Sequence, residues 1–211
     1  MLGKRLGAGL VIAGAATAAY VCFVRQWHLH WGATEEEARG ASAGDELMPG
    51  PDLVATRAVE IDAPPAAIWP WLVQMGPGRG GAYTYDWIER RLGIDIRNTD
   101  RIIPELQDLK VGDEIPMPGY TMRVERLDPE RAMVIRSSNQ AWVWSFELRS
   151  ANGHTRLISR NRFGIAALPL RDKLAYPVVE PGSLVMERKM LLRSSNGPST
   201  SPARRGELDE G

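Results

Sequence analysis

Residues 120–163 contain short runs in which apolar and polar side chains alternate, the pattern of β-strands with one buried face. Asn152-Gly153 separates the last two runs, and this dipeptide favours a two-residue β-hairpin turn. Runs joined by such short turns pair antiparallel, so this stretch predicts an antiparallel meander. One face of the run before the hairpin is almost entirely aromatic and carries Trp142, Trp144, Phe146 and Leu148.

The stretch before the meander predicts a first strand and two short helices. Leu53–Asp62 alternates as a strand and ends in two prolines, which favour a helix start. The apolar spacing of Ile68, Leu72 and Met75 indicates a helix, although Pro70 predicts a kink or a late start. Tyr83–Leu92 predicts a second helix. Far along the chain, Ser183–Arg193 predicts a final helix.

A glycine-rich elbow, residues 76–81, joins the two short helices. Gly76, Gly78 and Gly81 match the spacing G-x-G-x-x-G. A dinucleotide site requires a strand before this motif, whereas here a helix precedes it, so that reading is excluded. The glycines instead predict positive φ angles and a close approach of the backbone.

Charge and cysteine content exclude several classes of function. The 211 residues carry a net charge of zero, without the basic excess typical of nucleic-acid-binding domains. Cys22 is the only cysteine, so a disulfide framework and a cysteine-based zinc site are excluded. His28 and His30 would share a face of an extended segment, but the sequence offers no third ligand nearby. No metal, cofactor or nucleic-acid partner is therefore expected.

Leu6–Val24 is an apolar run of nineteen residues without charge. A helix of this length spans about 30 Å, enough to cross a bilayer core. Ala16-Thr17-Ala18 also has the form of a signal-peptidase site, but the run continues to Arg25, which favours an uncleaved anchor. The positive charges before the run predict a single-pass membrane protein with its domain outside the cytoplasm.

The chain therefore divides into four predicted parts. Residues 1–26 form the membrane anchor and residues 27–51 a linker, in which Thr34 and the following glutamates predict one N-capped helical turn. Residues 52–193 form the domain. Residues 194–211 are small, polar and charged, and predict a disordered tail.

Several motifs resemble one superfamily. Ile61-Asp-Ala-Pro-Pro-Ala-Ala-Ile-Trp-Pro-Trp71 is similar to the opening of the START-like helix-grip (SRPBCC, polyketide cyclase/dehydrase and lipid-transport) superfamily. Further segments resemble an uncharacterised, membrane-anchored bacterial subgroup of it: Gln74-Met-Gly76, Arg79-Gly-Gly81, Tyr85-Asp-Trp87, Glu180-Pro-Gly182 and Met186-Glu-Arg-Lys-Met190. The resemblance covers residues 52–193.

This resemblance implies an α+β helix-grip fold, in which a curved antiparallel sheet wraps around the C-terminal helix and two short helices follow the first strand. It also implies an apolar cavity between the sheet and that helix. The function expected is a membrane-tethered binding domain for a lipid or another small hydrophobic molecule. The side chains predicted to contact that ligand are Trp71, Met75, Arg79, Tyr83, Tyr85, Asp86, Trp87, Met122, Trp142, Trp144, Phe146, Asn161, Met186 and Met190.

Two other functions remain open at this point. A cyclase or dehydratase would need an acid or base in the cavity, and Arg79, Tyr83, Tyr85 and Asp86 are the candidates. Asp86 is equally placed to pair with Arg90, and Arg79 to bind loop carbonyls. An interaction module without a ligand would instead dock a partner at the membrane surface through an exposed apolar patch.

Overall fold

The computed structural model describes residue 20 and residues 24–81, 98–151, 153–168, 173, 183–185 and 187–191. These residues form one six-stranded antiparallel sheet with short helices around it. The strands are β1 (Leu53–Ile61), β2 (Glu114–Met117), β3 (Tyr120–Asp128), β4 (Ala132–Ser137), β5 (Trp142–Ala151) and β6 (His154–Phe163).

The strand order β1-β6-β5-β4-β3-β2 makes the sheet open, with β1 and β2 at its edges. The predicted meander is confirmed. Ala151 pairs with His154, so the β5–β6 hairpin has the two-residue loop that the sequence predicts, and Gly153 has a φ of 87°. β1 pairs along its whole length with β6, which places the first strand of the domain beside the last.

β2 is a strand that the sequence pattern did not predict. It has only four residues and one of them is Pro116, which cannot donate to a neighbouring strand. This proline is tolerated because β2 lies at the sheet edge. Ile115 is buried, and Met117 pairs with Tyr120 across a turn at Gly119.

The helix after β1, Pro65–Val73, begins at the proline pair as predicted. It does not start late, and Pro70 lies inside it. Ile68, Leu72 and Val73 are buried and contact the core of the sheet. The predicted second helix, Tyr83–Leu92, lies outside the described residues.

One face of the sheet, the inner face, carries the core. Its central side chains are fully buried and pack against Met190 and Leu191: Ile61, Met133, Phe146 and Leu157. Residues 183–185 and 187–191 are helical and are called here the C-terminal helical segment. The open, curved sheet with a helix against its inner face confirms the predicted helix-grip α+β fold.

The chain before β1 packs on the edge and the outer face of the sheet. Two short helices, Arg25–Leu29 (α1) and Glu35–Arg39 (α2), flank the point where it passes the edge. In chain order, the helix Pro65–Val73 is therefore α3. At this edge the Ala58 amide donates to the Trp31 carbonyl at 3.1 Å. A Cβ at Gly32, whose φ is 72°, would lie 2.1 Å from the Ala58 oxygen, so only glycine fits there.

Residues 32–48, called here the N-terminal strap, cross the outer face. Arginines of β6 hold the strap. Arg160 donates to Asp45 and to the Gly40 carbonyl, and Arg162 donates to Asp45 and to the Met48 carbonyl. The sequence predicted a linker over residues 27–51 and did not predict these contacts.

In the part of the chain that the structure describes, no helix is long and apolar enough to cross a membrane. Apart from Tyr20 and Val24, the apolar run Leu6–Val24 lies outside those residues. The predicted anchor and the predicted tail, residues 194–211, therefore stay predictions.

Candidate functional site

A row of aromatic rings runs across the inner face of the sheet. Trp142 stacks on Trp144 with ring centroids 5.1 Å apart, and on Phe163 with centroids 5.7 Å apart. Trp144 in turn contacts Phe146, with ring centroids 4.7 Å apart. Alternation along β5 places three of these rings on one face, and the pairing of Trp142 with Phe163 adds the fourth. We call these four residues the aromatic row.

The two indoles of the aromatic row are fixed by hydrogen bonds to β6. Trp142 Nε1 donates to Asn161 Oδ1 at 2.9 Å, and Trp144 Nε1 donates to Ser159 Oγ at 2.8 Å. Both acceptors are buried. Asn161 pairs with Trp144 and Ser159 pairs with Phe146, so each indole bonds to the residue opposite the next ring along β5. The polar edges of the tryptophans are thus satisfied within the sheet, and their faces remain apolar.

A buried polar network continues from Asn161. Its amide nitrogen donates to both carboxylate oxygens of Glu187 at 3.2 Å, and Glu187 forms an ion pair with Arg57. Arg57 also donates to the His28 carbonyl and to Ser183 Oγ, each at 3.0 Å. The network therefore joins β1, β5, β6, α1 and the C-terminal helical segment.

The burial of the aromatic row changes along its length. Phe146 is fully buried in the core, whereas Trp142, Trp144 and Phe163 are only partly buried. Tyr120, also partly buried, packs against the same core from β3, and burial raises the pKa of its hydroxyl. The inner face is therefore filled at the Phe146 end and more accessible at the Trp142 end.

The predicted ligand-contacting residues that the structure describes fall into two groups. Met75, Met122, Phe146 and Met190 are buried core residues. Trp71, Trp142 and Trp144 are partly buried and pack against that core, and Asn161 holds Trp142. Ring contacts and hydrogen bonds join four of these residues and Glu187 into one connected group across the sheet and the helical segment: Trp142, Trp144, Phe146 and Asn161.

Arg79 belongs to the elbow and not to this connected group. Its guanidinium donates to the carbonyls of Val73 and Leu106, at 2.9 Å and 3.3 Å, which is the structural role that the sequence left open. Burial lowers the pKa of Arg79, while the charge of Asp113 acts in the opposite direction. Gly76 and Gly81 exchange backbone hydrogen bonds across the elbow. A Cβ at Gly76, whose φ is 130°, would lie 2.5 Å from the Ile115 side chain.

Five predicted site residues lie outside the part of the chain whose side chains the structure describes: Tyr83, Tyr85, Asp86, Trp87 and Met186. They include three of the four candidates for acid–base catalysis, and the enzymatic alternative stays a prediction. Among the described residues, which include His28 and His30, no group of three potential metal ligands occurs. The pKa of His30 is lowered, first by burial and then by Arg39 and Arg160.

A separate open groove of about 960 Å³ lies between the N-terminal strap and the β3–β4 turn. Its lining is mixed in polarity and includes Ser42, Arg126, Asp128 and Glu147. The Ser42 hydroxyl and the Ala43 amide both donate hydrogen bonds to the Glu147 carboxylate. Burial raises the pKa of this carboxyl, but these hydrogen bonds act in the opposite direction and the pKa is lowered. The groove borders the outer face and is distinct from the aromatic row.

Sequence reasoning missed Arg57, Ser159 and Glu187. Arg57 occupies an inward position of β1 between Ala55 and Val59, and Glu187 occupies the same helix face as Leu184 and Leu191. Two opposite charges at positions that should be apolar could have predicted this ion pair, because buried charges are nearly always paired. Ser159 carried no such signal, because an uncharged serine on the inner face does not by itself predict a hydrogen bond from Trp144.

No family model matches this chain, and no curated protein matches it. Solved structures do. A conserved protein of unknown function from Enterococcus faecalis is similar, with 17% identity and a TM-score of 0.40, over 74% of this chain and 77% of that one. A polyketide-cyclase-like protein from Corynebacterium glutamicum has 15% identity and a TM-score of 0.35, over 70% of this chain and 91% of its own.

A third similar structure is the protein CalU16 from Micromonospora echinospora, with 15% identity and a TM-score of 0.36, over 68% of this chain and 85% of its own. The polyketide-cyclase-like class named among these structures is the class that the sequence resemblance predicted. The membrane-anchored bacterial subgroup stays a prediction.

Proposed function

We propose that this protein is a membrane-tethered binding domain for a lipid or another small hydrophobic molecule. The ligand lies between the inner face of the sheet and the C-terminal helical segment. The observation that carries the proposal is the aromatic row, whose rings are fixed by the sheet and remain partly exposed at the Trp142 end.

The chemistry of this surface favours an apolar ligand. Each Å² of apolar surface removed from water contributes about 25 cal/mol to binding. The indole N–H groups are already bonded to Asn161 and Ser159, and the charges of Arg57 and Glu187 are paired with each other. The aromatic row therefore presents the apolar faces of its rings to a ligand. It presents no free charge, and both of its indole N–H groups are already bonded. Tyr120, protonated at neutral pH, supplies a hydroxyl for a polar end group.

The tether is the run Leu6–Val24, and the charge distribution around it supports a single-pass protein with its domain on the extracytoplasmic side. A ligand reservoir then lies within reach of the domain, because lipids and other hydrophobic molecules accumulate in the bilayer. The proposal involves no metal and no cofactor.

Displacement of a fluorescent fatty acid from the full chain in detergent micelles tests the proposal. Trp142→Ala removes the ring that stacks on two others, and we expect the dissociation constant of the probe to rise about tenfold or more, since a buried aromatic side chain contributes about 1.5–3 kcal/mol. Trp142→Phe keeps a ring in the row and is expected to weaken binding less.

Thermal unfolding of both variants separates a loss of binding from a loss of fold. The proposal fails if the wild-type chain does not bind the probe. It also fails if Trp142→Ala unfolds near the wild-type temperature and binds the probe with unchanged affinity.

A further inference from the structure

Five large apolar side chains are exposed among the described residues: Val24, Trp27, Ile102, Val111 and Val185. Two of them, Val24 and Trp27, lie at the junction between the apolar run Leu6–Val24 and the domain. Trp27 is 61% exposed, far more than the partly buried tryptophans of the inner face. An exposed tryptophan directly after an apolar run is typical of the membrane–water interface.

The end of the apolar run is attached to the domain. Tyr20 lies inside the run, and its hydroxyl is 3.2 Å from His28 Nε2 in α1. His28 and Leu29 are buried, and Leu29 packs with Leu53 and Ala55 at the start of β1. The chain therefore enters the domain at a fixed place and not through a free linker.

That place is beside the accessible end of the aromatic row. Leu29 belongs to a cluster that also includes Phe163, and Phe163 stacks on Trp142. Leu53, which Leu29 contacts, pairs with Phe163 in the sheet. The point of entry and the partly buried rings thus share one end of the sheet.

The C-terminal helical segment begins close to α1. The Arg57 guanidinium donates both to the His28 carbonyl and to Ser183 Oγ, so α1 and the start of this segment are only one side chain apart. Arg188 lies over the Trp31 ring, 5.3 Å from its centroid. Val185, which is 49% exposed, follows Ser183 by two residues.

We propose that the end of the domain defined by Val24, Trp27 and Val185, called here the membrane-facing end, rests on the lipid bilayer. This inference depends on the proposed membrane tether. The occupant is the bilayer because the adjoining chain is the apolar run itself. With this orientation the accessible end of the aromatic row lies next to the lipid, so a hydrophobic molecule passes between bilayer and inner face without crossing bulk water.

Two exposed valines provide a matched test. Val185 lies at the membrane-facing end, whereas Val111, which is 60% exposed, precedes β2 at the opposite edge of the sheet from β1. Val185→Cys and Val111→Cys, each combined with Cys22→Ala, allow a single environment-sensitive fluorophore to be attached at either place. The full chain is then reconstituted in vesicles of phosphatidylcholine and phosphatidylglycerol, with and without brominated acyl chains.

We expect the label at residue 185 to shift to shorter wavelength and to be quenched by brominated lipid, while the label at residue 111 stays in water. Equal quenching at the two positions, quenching at neither, or stronger quenching at residue 111 would overturn the inference.

The same label on Cys22, the native cysteine of the apolar run, shows whether the tether is inserted. An unquenched label at Cys22 would remove the tether, and the inference with it. A quenched Cys22 without preferential quenching at residue 185 would remove only the orientation. Displacement of the fatty-acid probe in micelles reports ligand binding independently of either result.

Discussion

Arg57 and Glu187 show how a single residue pair shapes the inner face. Their side chains are 1% and 7% exposed, and each has further hydrogen-bond partners: Asn161 for Glu187, and Ser183 and the His28 carbonyl for Arg57. Breaking a buried pair on one side leaves an uncompensated charge, which costs far more than the pair itself contributes. The pair therefore fixes the position of the C-terminal helical segment relative to β1.

Glu187→Ala is expected to lower the free energy of unfolding by about 3–5 kcal/mol, because it leaves the Arg57 guanidinium buried without its carboxylate. Glu35→Ala is the control. It breaks the exposed Arg39–Glu35 pair in α2 and should change stability by about 0.5 kcal/mol or less. Chemical denaturation of the full chain in detergent measures both. Equal effects of the two substitutions would contradict the role assigned to Glu187.

At the scale of elements, the N-terminal strap is the part of the fold that sequence reasoning predicted least well. The helical turn predicted after Thr34 is confirmed: Thr34 accepts from the Glu37 amide, and the Glu37 carboxylate accepts from the Thr34 amide, a capping box. The contacts of the strap with the sheet were not predicted. They depend on Arg156, Arg160 and Arg162, which alternate onto the outer face of β6 and which a pattern alone cannot distinguish from solvent-exposed charges.

Glu37 makes the attachment of the strap dependent on pH. The hydrogen bond from Arg156 is the main cause that lowers the pKa of this carboxyl from 4.5 to about 2. The folded pKa is below the unfolded one, so the stabilisation is complete above pH 4.5 and is lost as the pH falls toward 2. Glu37→Gln should therefore lower the unfolding midpoint at neutral pH, and this difference from the wild type should shrink across that window.

Denaturant unfolding at a series of pH values measures this difference. Glu36→Gln, at an exposed position of the same helical turn, provides the control and should have little effect on the midpoint. A Glu37→Gln effect of the same size at neutral pH and near pH 2 would show that the ion pair with Arg156 does not hold the strap.

At the scale of the whole molecule, the sheet was largely predictable because its pattern is local. Alternation fixed the inward positions of β3, β5 and β6, and Asn152-Gly153 fixed the β5–β6 register. Trp142, Trp144 and Phe146 were therefore correctly placed on one face. Phe163 lies on the same face of β6, and its pairing with Trp142 follows from that hairpin register. The ion pair of Arg57 with Glu187 and the attachment of residues 27–48 arise from contacts between distant parts of the chain, which no local pattern encodes.

These long-range contacts support the proposed arrangement, in which the tether enters at one end of the sheet and the accessible rings of the inner face lie at that same end. The central claim is that this inner face holds a hydrophobic molecule. Native mass spectrometry of the full chain released from detergent micelles, compared with Trp142→Ala, tests it most directly. The account predicts that the wild-type chain retains one hydrophobic molecule and that the variant loses it while remaining folded. A folded wild-type chain that carries no such molecule, and takes up none from added lipid, would contradict the account.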